Sequence, residues 1–146
     1  MDASVIEKIT DAEWEIMRIV WTKRKTTSSE IIEVLDHKTE WKPSTVKTLL
    51  ARLVEKGFLK TSKEGNKYIY TPLVEENISI KQAAEHLLTK VCNKKTGSLV
   101  ELIIEERELS FDDIDAIEAL LEEKRKTAVQ SVPCNCVPGQ CKCHEK

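Results

Sequence analysis

The chain has 146 residues, 40% hydrophobic and 33% charged, with a formal net charge of −2, an ordinary composition for one globular domain or two small ones. Its start, MDASVIEKITDAEWEIMRIVW, has neither the basic opening nor the continuous apolar run of a secretory leader. No stretch approaches the roughly 18 apolar residues of a membrane span, so a cytoplasmic protein with no membrane partner is expected.

Thr10-Asp11-Ala12-Glu13 has the form of a capping box, and Trp14, Met17, Val20 and Trp21 follow at helical spacing, which predicts a helix over 11–23. Thr27-Ser28-Ser29-Glu30 repeats the signal before Ile31, Ile32, Val34 and Leu35; this second helix should fade at 36–38. Pro43 is placed to be the first residue of a third, lined by Val46, Leu49, Leu50, Leu53 and Val54 and stopped by Gly57. The period then changes. Residues 59–62 and 68–71 read as strands, and the Gly65-Asn66 pair between them supplies the backbone freedom of a hairpin turn. Three helices followed by a hairpin form a winged helix-turn-helix. Helical patterns return at 79–92, at 97–108 and from Ser110, where Asp113 completes a further capping box, Leu109 and Ile114 are spaced as a staple, and Ile114, Ile117, Leu120 and Leu121 form an apolar stripe. The expected architecture is mainly α with a small β-hairpin. It comprises a winged-helix DNA-binding domain over 1–73, a helical dimerisation module over 74–130 and a flexible Cys-rich tail over 131–146.

Charge is distributed unevenly along these parts. Residues 1–72 hold 13 Lys and Arg against 11 Asp and Glu, whereas residues 73–130 hold 8 against 13. Lys42, Lys47, Arg52, Lys56, Lys60, Lys63 and Lys67 form a basic stretch interrupted only by Glu55 and Glu64, a local footprint suited to nucleic acid. On the third helix the apolar face centres on Val46, Leu50 and Leu53, which leaves Ser44, Thr48 and Ala51 opposite, flanked by Lys47, Thr45 and Arg52. Taken alone, such a face is the solvated side of an amphipathic helix. Between a short helix and a basic hairpin it has the composition of a recognition helix, because short hydroxyl residues allow close approach to the groove floor and long cations reach guanine edges or phosphates. The expected DNA-contacting residues are Lys42, Ser44, Thr45, Lys47, Thr48 and Arg52, with the wing residues Lys63 and Lys67 on the flanking backbone.

Four of the five cysteines lie in CNCVPGQCKC. Cys134 and Cys136 form one Cys-x-Cys arm, Cys141 and Cys143 the other, and Val137-Pro138-Gly139-Gln140 can turn the chain so that the arms face each other. A reducing compartment favours metal ligation over disulfides. Thiolates are soft donors suited to Cu(I) and Zn(II); the short arms tolerate a lone tetrahedral Zn(II) and suit thiolate-bridged Cu(I) better. His144 next to the last cysteine reads as a bystander. Cys92, beside Val91 near the end of a predicted helix and without a ligand-spaced partner, reads as a buried or half-buried structural thiol. No catalytic site is expected: His37, His86 and His144 are scattered, and no Gly-rich phosphate loop or nucleophile, base and orienter set can be assembled.

WKPSTVKTLLARLVEKGFL, preceded by TDAEWEIMRIVW and followed by KYIYTPLV, resembles the penicillinase-repressor family of winged-helix repressors over residues 6–128. With the Cys-x-Cys-x4-Cys-x-Cys tail, it is similar to the CopY-type, copper-responsive branch of that family in Gram-positive bacteria. The resemblance implies a homodimer paired through its C-terminal helices on a palindromic operator of double-stranded DNA with TACA and TGTA elements. It further implies Zn(II) in the repressing form, Cu(I) as the releasing ion, and a copper chaperone as the source of Cu(I). The β-lactam-responsive relatives are inactivated by cleavage at an Asn-Phe bond, and this chain contains no Asn-Phe dipeptide. The alternative function is metal storage or delivery of metallothionein type, which explains the tail and leaves the winged helix idle.

Overall fold

The computed structural model describes residues 8–143. In chain order these form α1 (Asp11–Lys23), β1 (Thr26–Thr27), α2 (Ser28–Leu35), α3 (Pro43–Glu55), β2 (Leu59–Glu64), β3 (Lys67–Pro72), α4 (Glu76–Leu88), a 3-10 turn (Asn93–Lys95), α5 (Thr96–Glu106) and α6 (Phe111–Arg125). The chain divides into two compact units, one through Lys81 and one from Gln82, so the division falls within α4.

The first unit is a winged helix whose local signals are visible atom by atom. Both halves of the Thr10/Glu13 capping box are made, with Glu13 N donating to Thr10 Oγ1 at 3.2 Å and Thr10 N to Glu13 Oε1 at 2.9 Å. At the N-terminus of α2 the Thr27 hydroxyl accepts from Glu30 N at 3.2 Å, and Pro43 occupies the first turn of α3, where its missing N–H costs nothing. Gly57 ends α3 at φ +87°. Its N–H reaches Val54 O at 3.1 Å and Phe58 N reaches Leu53 O at 3.0 Å, a Schellman closure that satisfies two otherwise orphaned carbonyls. One apolar face of each helix meets in a core around Ile16, Met17, Val20, Ile31, Leu50, Leu53 and Leu59. Trp21 Nε1 donates to Val74 O at 2.9 Å, tying α1 to the segment that follows the wing.

The sheet differs from the expected hairpin in two respects. Its strands are longer, pairing from Leu59↔Pro72 to Glu64↔Lys67, so only Gly65 and Asn66 form the loop; Gly65 at φ +63° occupies the first central position, the arrangement of a type II′ turn. A third strand is also present. Thr26 and Thr27 pair antiparallel with Tyr70 and Ile69, giving the order β1-β3-β2.

In the second unit, α6 begins with a full Ser110/Asp113 capping box. The helix expected over residues 79–92 is present with shifted bounds: α4 runs over Glu76–Leu88. Beyond it Thr89 Oγ1 donates to His86 O at 2.6 Å, and the amides of Lys90 and Val91 bond three residues back, so the helix tightens and stops before Cys92. No residue of α5 or α6 is buried. No helix among the described residues is long and apolar enough to cross a membrane.

Candidate functional site

Two sites emerge, one in each unit. On α3, Val46, Leu49, Leu50 and Leu53 are all 5% exposed or less, which leaves Ser44, Thr45, Lys47, Thr48, Ala51 and Arg52 exposed on the other side. Lys42 is the N-cap residue and is exposed, with no side-chain cap bond of its own. Thr48 Oγ1 donates to Ser44 O at 2.9 Å, so that hydroxyl lies back along the helix and keeps a lone pair outward. On the wing, Lys63 Nζ stands 5.9 Å from the centroid of the Tyr68 ring, and Lys67 closes the turn opposite Glu64.

Among the described residues Lys42, Lys47, Arg52, Lys63 and Lys67 make no ion pair, while Glu64 of the wing is held by Lys25 Nζ at 3.1 Å. One cation of the basic stretch faces elsewhere. Lys56 donates to Glu13 Oε1 at 2.8 Å and to Lys8 O at 3.0 Å, so it is a structural partner of a buried carboxylate and drops out of the basic face. Burial pushes the Glu13 carboxyl up, but the Lys56 hydrogen bond, the Thr10 bonds and the Lys56 charge together hold it below 4.5.

The second site lies in the tail and its docking point. Gln140 N donates to Val137 O at 3.1 Å and Gly139 has φ +99°, so Val137-Pro138-Gly139-Gln140 makes the expected turn, with Pro and Gly where a type II turn needs them. Cys134 Sγ lies 3.3 Å from Cys141 Sγ across it. Cys92 is buried, at 6% exposure, as its apolar neighbourhood in the sequence implies. Its sulfur, however, lies 3.5 Å from Cys134 Sγ and 3.6 Å from Cys143 Sγ. The sulfurs of Cys92, Cys134, Cys136 and Cys141 all fall within 4.8 Å of one another.

That spacing suits a metal. Four sulfurs about 2.3 Å from a tetrahedral ion stand about 3.8 Å apart, within the range the thiols already occupy. Two of the tail thiols resist ionisation: Cys136 is pushed up to about 12, first by burial and then by hydrogen bonding with Cys141, Cys134 and Cys92. Cys143 is pushed up to about 12 by its bonds with Cys141 and Cys92, whereas Cys141 is lowered by the Cys143 backbone N–H. A soft divalent or monovalent cation would take thiolates as ligands and displace the protons. His144 lies outside the described residues. Sequence spacing could not reveal Cys92, since it stands 42 residues before Cys134.

The model of the penicillinase repressor family matches residues 9–123. An uncharacterised 16.5 kDa protein of Latilactobacillus sakei, from the region 3′ of ptsI, is 41% identical over 95% of both chains. A penicillinase repressor of Bacillus licheniformis is 33% identical over 82% of this chain and 94% of its own. The solved structure of a CopR repressor is 42% identical over 47% of this chain and all of that one, with a TM-score of 0.41. On the extent of these matches, the chain belongs to the penicillinase repressor family of transcriptional repressors.

Proposed function

We propose that this protein is a metal-gated transcriptional repressor of a copper-transport or copper-homeostasis operon. Two copies bind a palindromic operator, the cysteine cluster holds Zn(II) in the repressing form, and Cu(I) in its place releases the DNA. The observation that carries the reading is the convergence of soft thiols in a chain whose Lys42, Lys47, Arg52, Lys63 and Lys67 are exposed and make no ion pair among the described residues. Ser44, Thr45, Thr48, Lys47 and Arg52 meet the major groove, Lys42, Lys63 and Lys67 meet phosphate, and the exposed apolar side chains of α5 and α6 pair with those of the second copy. A copper chaperone supplies the ion.

When bound, the metal supplies positive charge that holds the thiols as thiolates at fixed separations. The chain's part is to convert that geometry into an altered operator affinity, which requires different tail arrangements for the two ions.

A gel shift on the protein's own promoter region tests this. The zinc-loaded chain should shift the DNA and Cu(I) should release it, while a variant with Ser at 134, 136, 141 and 143 should be insensitive to Cu(I). Absence of any shift would favour the storage reading. Release of the four-Ser variant at the parent's copper concentration would place the sensor outside the tail.

A further inference from the structure

The tail cysteines alone could form a metal site wherever the tail reaches, yet the structure docks them at one place. Cys92, Asn93 and Lys94, consecutive residues in the link between α4 and α5, meet Cys134, Asn135 and Ser131 of the tail. Cys92 Sγ contacts Cys134 Sγ at 3.5 Å, Asn93 N donates to Asn135 Oδ1 at 2.9 Å, and Lys94 Nζ donates to Ser131 Oγ at 2.9 Å. Two polar contacts beside the sulfur contact hold the tail in register on this link. Cys92 is also the most buried of the five thiols. It stands immediately before the 3-10 turn Asn93–Lys95, its carbonyl accepts from Lys95 N at 2.8 Å, and it is buried, whereas the tail thiols are half-buried or exposed.

From this arrangement we infer that Cys92 is a metal ligand, and that the metal fastens the tail to the α4–α5 link of its own chain. The inference rests on the reading of the tail as a metal site and deepens it. Cys92, Cys134, Cys136 and Cys141 are the four sulfurs that lie mutually within 4.8 Å, and they form the tetrahedral set for one divalent ion. Cys143, exposed and 3.6 Å from Cys92, is the fifth sulfur, placed to capture an incoming Cu(I) while the other four still hold the resident ion. Metal exchange is thereby read at the start of α5, inside the helical unit, and not only at a free chain end.

Cobalt(II) is the probe, because its thiolate-to-metal charge-transfer absorption grows with the number of coordinating sulfurs. Under anaerobic, reducing conditions the full chain should give a four-thiolate tetrahedral spectrum, and Cys143→Ser, with four thiols remaining, should keep it. Adding Cys92→Ser to Cys143→Ser should lower the charge-transfer intensity by about a quarter and weaken zinc binding, measured against a chelator, by at least about tenfold, since even partners behind a ligand are worth 10–100-fold. A three-thiolate spectrum in Cys143→Ser, unchanged by Cys92→Ser, would overturn the inference and leave the tail as the metal site. A full chain that binds no cobalt would overturn both. If the double variant loses its helical circular dichroism, the sulfur count in Cys143→Ser alone decides between four and three.

Discussion

Glu13 carries two tasks at once. It closes the capping box of α1 and, fully buried, accepts the Lys56 ammonium at 2.8 Å, while its Oε2 finds no hydrogen-bond partner among the described residues. A buried carboxylate deprived of its cation is costly, so Lys56→Met should destabilise the protein by about 3 kcal/mol in chemical denaturation, the low end for buried pairs because the Lys56 side chain is 21% exposed. The pH dependence has a defined sign. Since the folded carboxyl titrates below its ordinary 4.5, its contribution is complete above that value and is lost as pH falls through the lower folded value. A Glu13→Gln chain should lack this acid-side loss of stability. The cap was legible in the sequence as Thr-x-x-Glu; the pair was not, because residues 43 apart meet only once α1 and α3 pack, and Lys56 read by composition counted toward the basic face.

Among the elements, α3 shows why patterning alone located a helix and its exposed polar face: proline starts it, glycine stops it, and the intervening apolar positions recur at a helical period, so sequence and structure agree on Pro43 and Gly57. Replacing Lys47 or Arg52 with Ala should weaken operator binding by about 1–3 kcal/mol for a base contact, or reduce the salt dependence for a phosphate contact, as measured by fluorescence anisotropy across a salt series. Equal operator affinity for both variants and the parent would remove α3 from the interface. Two element assignments were not legible. β1 has only Thr26 and Thr27, too few residues to show alternation, and Thr27 read as the cap of the second helix, which it also is. The end of α4 was obscured because the apolar pattern continues through Val91 while the hydroxyl of Thr89 turns back on His86, a competition of side chain with backbone that periodicity does not register.

At the scale of the whole molecule, the second unit exposes Phe111 at 88%, Leu120 at 64% and Leu121 at 54%, a stretch of α6 that a single chain leaves uncovered. If a second copy covers it, Leu120→Asp with Leu121→Asp should raise the dimer dissociation constant by at least about tenfold per buried leucine lost, seen by analytical ultracentrifugation, and weaken operator binding in parallel. An unchanged dimer would move the pairing surface off this stripe. The Cys-x-Cys arms were plain in the sequence. The place of Cys92 beside them was not, since only folding delivers it there.

The short strand β1 has a bearing on time as well as shape. Thr27 simultaneously bonds the α2 N-terminus and pairs with Ile69, and Thr26 pairs with Tyr70, so the base of the wing is laced into the same small region that starts the second helix. Fraying the wing at that base means breaking the cap of α2 beside the core residue Ile31. Amide protons of β3 near Ile69 and Tyr70 should therefore exchange with solvent as slowly as those of α1, while amides near Gly65 exchange orders of magnitude sooner. The reading head then moves as one piece for as long as the domain stays folded, and each encounter with DNA begins with wing and helix already in their final relation to each other.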